Sequence, residues 1–257
     1  QSSVWAECSN TVVISSSARL QILHLWCWLG SGSYQPWRTG GCVKVAVLSS
    51  GGKDSSAAIW WAQCKGWDVT HLVTMLVAGE DSMMFQVPGT SLVERQAELC
   101  ECSWLPVPTM GIEDYEVEDL KNALQNIEID GLVSGAIRSD YQKTRLERIC
   151  EDLMIKSFTP LWHQSSEAHM DNLIDNGFKV MITGVSTEGL GKDWLGCILD
   201  NKKLSKLKSN ALKYRFNVDG EGGEYETVVV AGPHMKGSLE LDYQINWDGV
   251  RGYLKFV

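Results

Sequence analysis

The run Lys44-Val45-Ala46-Val47-Leu48 leads at once into Ser49-Ser50-Gly51-Gly52-Lys53-Asp54-Ser55-Ser56, and this join constrains the fold more than any other stretch. A short apolar run without polar alternation predicts a strand buried on both faces, as in a parallel sheet. Two glycines let the chain reverse sharply, and Asp54, Ser55 and Ser56 open a helix. Strand, tight turn and helix in that order aim several backbone N–H groups and the positive end of a helix at one spot, where a phosphate can sit. The spacing is not that of the Walker loop, which needs Gly, four residues, then Gly-Lys-Ser/Thr. A glycine turn capped by Asp and Ser is the plain structural alternative.

Composition narrows the classes. The chain has 257 residues, enough for one large domain or two modest ones. Its net charge of −9 argues against a protein built to grip nucleic acid, because phosphate neutralisation needs clustered Lys and Arg. The eight cysteines form no framework and read as reduced thiols of a cytoplasmic protein. Cys100 and Cys102 have no second pair with which to hold zinc. The best apolar run, Leu20–Leu29, is too short to span a bilayer and is interrupted by His24, so no membrane partner is expected. Residues 1–42 differ from the remainder: they hold four of the eleven tryptophans and, among charged residues, only Glu7, Arg19 and Arg38. They read as an atypical extension. With Met75 the first methionine, native translation is expected to start near Val43.

From Val43 onward β-rich runs alternate with amphipathic stretches. Strands are expected at Lys44–Ser49, Val69–Val77, Trp104–Pro108, Gly131–Ala136 and Ser157–Leu161, and helices at Asp54–Lys65, Ser91–Cys102, Glu113–Asn126 and Ser139–Leu153. This is an α/β pattern: a doubly wound, mainly parallel, five-stranded Rossmann-like sheet over residues 43–163. Ligands of such sheets collect at the C-terminal strand ends, where both the glycine loop and Ile137–Gln142 lie. After Trp162 the rhythm changes. A helix near Glu167–Asn176, a strand at Lys179–Val185, a lysine-rich helix at Asn201–Tyr214 and strands at Thr227–Ala231 and Ser238–Ile245 predict a smaller α+β domain over 164–257 that closes on the nucleotide. The lysine cluster from Lys202 to Arg215 reads as a solvated helix face. His71 reads as core, His163 as a residue within reach of substrate, and His24, His169 and His234 carry no signal.

The Ser-Gly-Gly-Lys-Asp-Ser loop resembles that of the PP-loop ATP pyrophosphatases. Further stretches narrow the resemblance: Gly135-Ala136-Ile137-Arg138-Ser139-Asp140-Tyr141-Gln142, Thr159-Pro160-Leu161-Trp162, Asp193-Trp194-Leu195-Gly196 and Gly220-Glu221-Gly222-Gly223-Glu224-Tyr225-Glu226-Thr227. Together with Ser82-Met83-Met84-Phe85 they are similar to the diphthine–ammonia ligase family, and the likeness runs from about Val43 to the last strands.

That resemblance implies a reaction. The carboxylate of diphthine, a modified histidine on translation elongation factor 2, attacks the α-phosphate of ATP, and ammonia then displaces AMP to leave the amide. Ser49, Ser50, Gly51, Gly52, Lys53, Asp54, Ser55 and Met75 are implied to bind ATP, with Lys53 and a magnesium ion on Asp54 stabilising departing pyrophosphate. Glu221, Glu224 and Glu226 put three carboxylates in six residues. As a plain reading they form an acidic turn; as a functional one, Glu224 steers and deprotonates ammonium while another meets the trimethylammonium group of diphthine. Ser139, Asp140, Tyr141, Gln142, Trp162, Trp194 and Tyr225 complete the implied substrate site, the aromatics as a partial cation cage. Ammonia is expected from solution, no stable nucleic-acid partner is expected, and there is room for a homodimer. Two other readings stand beside this one: the same activation chemistry on a tRNA base or small metabolite, and a regulatory module that binds ATP without using it.

Overall fold

The computed structural model describes residues 42–77, 89–110 and 113–257. The expectations for residues 1–41 and for the Ser82–Phe85 stretch lie outside the described residues.

Five strands, β1 (Lys44–Leu48), β2 (Asp68–Val77), β3 (Ser103–Thr109), β4 (Gly131–Val133) and β5 (Lys156–Phe158), form one sheet in the order β3-β2-β1-β4-β5. Every pairing in it is parallel. Helices α1 (Lys53–Cys64), α2 (Gly89–Leu99), α3 (Glu113–Leu124) and α4 (Asp140–Asp152) connect the strands. The pleat of β1 explains why its whole run is apolar. Val45 and Val47 face Ala58, Ile59 and Ala62 of α1 with Val93 and Ala97 of α2. Ala46 faces the other way, with Val73 and Leu132, toward Leu120 and Leu124 of α3 and Leu146 and Ile149 of α4. Both faces are therefore covered, as a parallel sheet requires. Because β1 lies between β2 and β4, the strand order reverses there, and a crevice opens outside their C-terminal ends.

Two expected elements end early for local reasons. Helix α2 stops at Leu99 rather than Cys102 because Glu101 takes a left-handed φ of 58° and Cys102 N–H turns back to the Ala97 carbonyl at 3.0 Å. Strand β4 stops at Val133, and the glycine that follows makes a close approach described below.

The second sheet is antiparallel. It contains β6 (Lys179–Val185), β7 (Tyr225–Ala231), β8 (Tyr243–Trp247) and β9 (Gly252–Phe256) in the order β7-β6-β9-β8. The strand expected at Ser238–Ile245 begins only at Tyr243, since Ser238 makes no more than an isolated bridge to Ala231. Strand β9 was not expected at all. Asp248 creates it: its Oδ1 accepts the N–H groups of Val250 and Arg251 at 2.8 and 2.7 Å, an Asx turn that folds the chain back on β8. Helix α5 (Ser166–Asp175) precedes this sheet, and α6 (Asn201–Tyr214) follows β6. The Asp200 side chain caps α6 by accepting Lys203 N–H at 2.7 Å, and α6 buries Leu204, Leu207 and Ala211. Its lysines lie on the outer side, where Lys208 meets Asp171 at 2.7 Å and Lys206 meets Asp193 at 3.5 Å. No helix among the described residues is long and apolar enough to cross a membrane.

His234 gives this region a pH dependence. It is 4% exposed, stacks on Phe178 at 5.2 Å, and leaves Nδ1 without a hydrogen-bond partner. Burial pushes its pKa from 6.5 down to about 4. A depressed imidazole pKa means that the unfolded chain takes up the proton first, so stability is full above pH 6.5 and falls as the pH drops toward 4. The loss amounts to about 3 kcal/mol at most. Urea titrations at about pH 7.5 and about pH 4.5 should show this dependence in the parent chain and a much smaller one in His234→Phe. Equal slopes in the two proteins would remove His234 as the cause.

Candidate active site

At the end of β1 the ladder continues for one residue, Ser49 N–H donating to the Val73 carbonyl at 2.8 Å. Gly51 then takes φ +80°, a conformation that side chains rarely adopt, and the extended Gly52 precedes α1. No side chain of the helix's own N-cap satisfies the first turn. The amides of Asp54 and Ser55 have no carbonyl ahead of them in the helix, so the loop is a ready anion cradle. The C-terminal sheet holds it in shape. Val229 N–H donates to the Gly51 carbonyl at 3.0 Å, and Lys53 N–H donates to Thr227 Oγ1 at 3.2 Å. From α2, the buried Gln96 amide donates to the Gly51 and Val229 carbonyls at 3.0 and 2.8 Å. Gln96 had no signal in the sequence, and Thr227 was legible only as the last residue of the acidic block.

Lys53 and Asp54 stand together at the first turn of α1. Lys53 Nζ lies 2.8 Å from Asp54 Oδ2, and His169 Nε2 from α5 lies 2.7 Å from Asp54 Oδ1. Lys53 is 5% exposed and His169 is fully buried. Burial pushes the Asp54 pKa up, but the Lys53 charge and the His169 hydrogen bond outweigh it, and the carboxyl is held below its ordinary value. Gly135, just past β4, closes the other side. A Cβ placed there would lie 2.7 Å from the Asp54 carbonyl carbon, 2.8 Å from its oxygen and 2.9 Å from Ser55 N. That sequence block needs glycine because α1 and the β4 loop touch backbone to backbone.

The acidic loop reaches the same place. Asp219 is fully buried, and its Oδ2 pairs with Arg138 Nη1 at 3.2 Å. Arg138 also donates to Ser166 Oγ at 2.5 Å and so ties the β4 loop to the start of α5. The Tyr225 hydroxyl donates to the Val218 carbonyl at 2.6 Å, and the Lys53 ammonium sits 6.0 Å from the Tyr225 ring centroid. Neither Asp219 nor Arg138 was singled out from sequence. The signal available was the place of Arg138 inside one family-like block and of Asp219 immediately before another.

Glu224, expected to steer and deprotonate ammonium, has both carboxylate oxygens engaged within the loop. Its Oε1 accepts from Asn217 N and Nδ2 at 2.8 and 3.0 Å, and its Oε2 accepts from Gly222 N at 2.8 Å. A carboxylate holding three N–H donors closes a turn. Glu221 and Glu226 are exposed and keep accessible carboxylates. Partial desolvation by the neighbouring loop, then the charge of Asp54, raises the Glu221 pKa; partial desolvation raises that of Glu226, offset in part by Lys53.

The remaining expected residues scatter. Ser139 caps α4, its Oγ accepting Gln142 N–H at 3.3 Å, and Asp140 lies in the first turn. Tyr141 is 52% exposed with the Arg145 guanidinium 3.3 Å from its ring centroid. Asp140 and Tyr141 border a cavity of about 470 Å3, lined by Val117, Asp140, Tyr141, Thr144, Arg145 and Arg148, which none of the glycine-loop residues lines. Trp162 is half-buried and stacked on His163 at 4.8 Å. Trp194 belongs to the core at 2% exposure, with Lys203 and Lys206 over its ring at 5.6 and 5.3 Å, so it offers no open face to a cation. Tyr225 is likewise buried at 3%. Met75 is half-buried in β2, packed on the core beneath α3 and α4. His169, read as silent, is the clearest omission.

Among the described residues no group of three His, Cys, Asp or Glu side chains is arranged to hold a metal. Asp54 is thus a single-carboxylate donor. It suits an ion that arrives with phosphate oxygens and water, as magnesium does, and not one that needs a protein cage.

Comparison with known proteins agrees with this geometry. The family model described as diphthamide synthase N-terminal domain matches residues 43–157, and the one described as diphthamide synthase C-terminal domain matches residues 165–257. Diphthine–ammonia ligases of Bos taurus and Homo sapiens are each 31% identical to the chain over 224 and 226 residues, covering 78% of it and 83% of their own lengths. That of Danio rerio is 31% identical over 225 residues, covering 78% of this chain and 87% of its own.

Proposed function

We propose, from the premise that this chain belongs to the diphthine–ammonia ligase family, how its residues divide the work of an ATP-dependent amidation. It is a ligase of diphthamide synthesis and forms a carbon–nitrogen bond. The acceptor is the diphthine carboxylate on translation elongation factor 2. A carboxylate oxygen attacks the α-phosphorus of ATP, the α–β bridging bond breaks, and pyrophosphate leaves. Ammonia then attacks the acyl carbon, AMP departs with its phosphate oxygen, and the surplus proton passes to a base.

The observation that carries this reading is the Lys53–Asp54 pair at 2.8 Å, set at the mouth of a two-glycine loop that β7 and Gln96 hold rigid. The loop amides and the Lys53 ammonium meet the growing charge on pyrophosphate, where preorganised donors are most effective. A nucleotide-borne magnesium at Asp54, when bound, supplies further charge neutralisation at the departing phosphates. Residues 43–163 form the nucleotide-binding part and residues 164–257 the closing part. Glu224 shapes the turn, and Glu221 and Glu226, with raised pKa values, attract ammonium and accept its proton.

The test mixes the chain with ATP, magnesium, ammonium and elongation factor 2 bearing diphthine, and follows AMP and the intact mass of the factor. AMP should form in step with the mass change of replacing a hydroxyl by an amino group. AMP without a change in the factor removes this acceptor, and no AMP at all removes the activity.

A further inference from the structure

We infer that His169 is a positioning residue for this reaction, holding the Asp54 carboxylate from α5 so that Lys53 stays available to the phosphates. The inference rests on the role given to Asp54 above. His169 occupies a core position, fully buried beside Met170 and Leu173, where a plain hydrophobic side chain would satisfy packing. Instead an imidazole is buried with Nδ1 unpartnered, an arrangement that costs stability. Its one described polar contact is Nε2 to Asp54 Oδ1 at 2.7 Å. A carboxylate can only accept there, so Nε2 carries a proton.

Geometry shows what the contact does. Oδ2 of Asp54 is bound to Lys53 and Oδ1 to His169, while Gly135 packs against the Asp54 backbone. Two donors on different oxygens fix both side-chain torsions and leave a lone pair on each oxygen for a further partner. Remove the imidazole, and Asp54 is free to turn both oxygens onto Lys53. The ammonium would then be neutralised by its neighbour when pyrophosphate departs. The nucleotide would still bind, because the loop amides are unaffected. His169 also joins the two parts of the protein: α5 lies in the C-terminal match and Asp54 in the N-terminal one.

The experiment compares His169→Leu, His169→Met and His169→Gln with the parent chain. Its readouts are thermal melting, ATP affinity by calorimetry, kcat and KM for AMP formation, and long-range 15N–1H spectra of the imidazole. His169→Leu should melt no lower than the parent, bind ATP within about twofold and lose roughly ten- to hundredfold in kcat, the range seen when a residue that orients a ligand is removed. His169→Met repeats the test should the branched side chain prevent folding. His169→Gln, whose amide N–H reaches near the Nε2 position, should restore most of the rate. The spectra should show the Nε2–H tautomer. Parental kcat in the Leu and Met variants, failure of Gln to restore the rate, or an Nδ1–H tautomer would each overturn the proposal. Asp54→Asn separates the two levels: if it turns over normally, the Asp54 assignment fails. If it is inactive while His169→Leu is fully active, the inference about His169 fails alone.

Discussion

Asp54→Asn should abolish most pyrophosphate release while leaving a folded protein that still binds ATP. The asparagine keeps an oxygen to accept from His169, but turns an N–H toward the Lys53 ammonium, which approaches Oδ2 at 2.8 Å in the parent chain. Donor then faces donor, and the local negative charge is gone. Loss of a single preorganised electrostatic group in a transition state is worth on the order of a hundred- to a thousandfold in rate, and the fall should appear in kcat. Calorimetric titration with ATP checks binding, because the glycine-loop amides remain. Stability changes in the same variant carry a definite pH signature. The Asp54 pKa is depressed, so its contribution is present above the ordinary aspartate pKa and lost as the pH falls through the lowered value. The destabilisation of Asp54→Asn relative to the parent should therefore shrink in acid. Near-parental turnover would take Asp54 out of the reaction.

The second large effect is expected at Gly135, where a single methyl group has nowhere to go. The atoms a Cβ would meet, at 2.7 to 2.9 Å, are backbone atoms of Asp54 and Ser55, not the movable end of a side chain. Relief requires shifting the first turn of α1 or the loop after β4. Overpacking of this kind destabilises by about 1–3 kcal/mol, which lowers the melting temperature by several degrees in a protein of this size. Activity should suffer more than stability, because the displaced residue is Asp54 itself and an error of about 1 Å in a reacting group costs on the order of a hundredfold. Gly177→Asn is the control: the site has open space around it and a φ of +82° that asparagine tolerates. Gly135→Ala with parental kcat would show that the two loops can separate freely.

How much of this could be read from the chain differs from residue to residue. The burial of β1, the glycine turn and the start of α1 all follow from consecutive residues, because strand burial, left-handed φ and helix initiation are local properties. The alternation of strands and helices up to Trp162 was legible for the same reason, and it implied a parallel sheet with its site at the C-terminal strand ends. Helix ends were less so: Glu101 stops α2 through a left-handed backbone that its side chain does not announce. Strand β9 escaped because its hairpin is made by Asp248, an ordinary acidic residue until its carboxylate meets two amides downstream.

Within the site, residue type was visible and employment was not. Three glutamates in six residues announce a concentration of charge, yet Glu224 spends its oxygens on Asn217 and Gly222 while Glu221 and Glu226 remain accessible. Trp194 has the composition of a cation-binding wall but the burial of a core residue. His169 lies 115 residues from Asp54 in the chain, and Gln96 and Val229, 133 residues apart, meet over Gly51. By itself the sequence determined the sheet, the glycine loop and the chemical family, because those depend on short-range patterning and on motifs whose members are neighbours. Tertiary structure alone decided which carboxylates are free, which aromatics are open and which histidine holds Asp54. Those outcomes depend on what each side chain meets after distant segments pack, and a polar group's role is set by the partners that packing brings within reach.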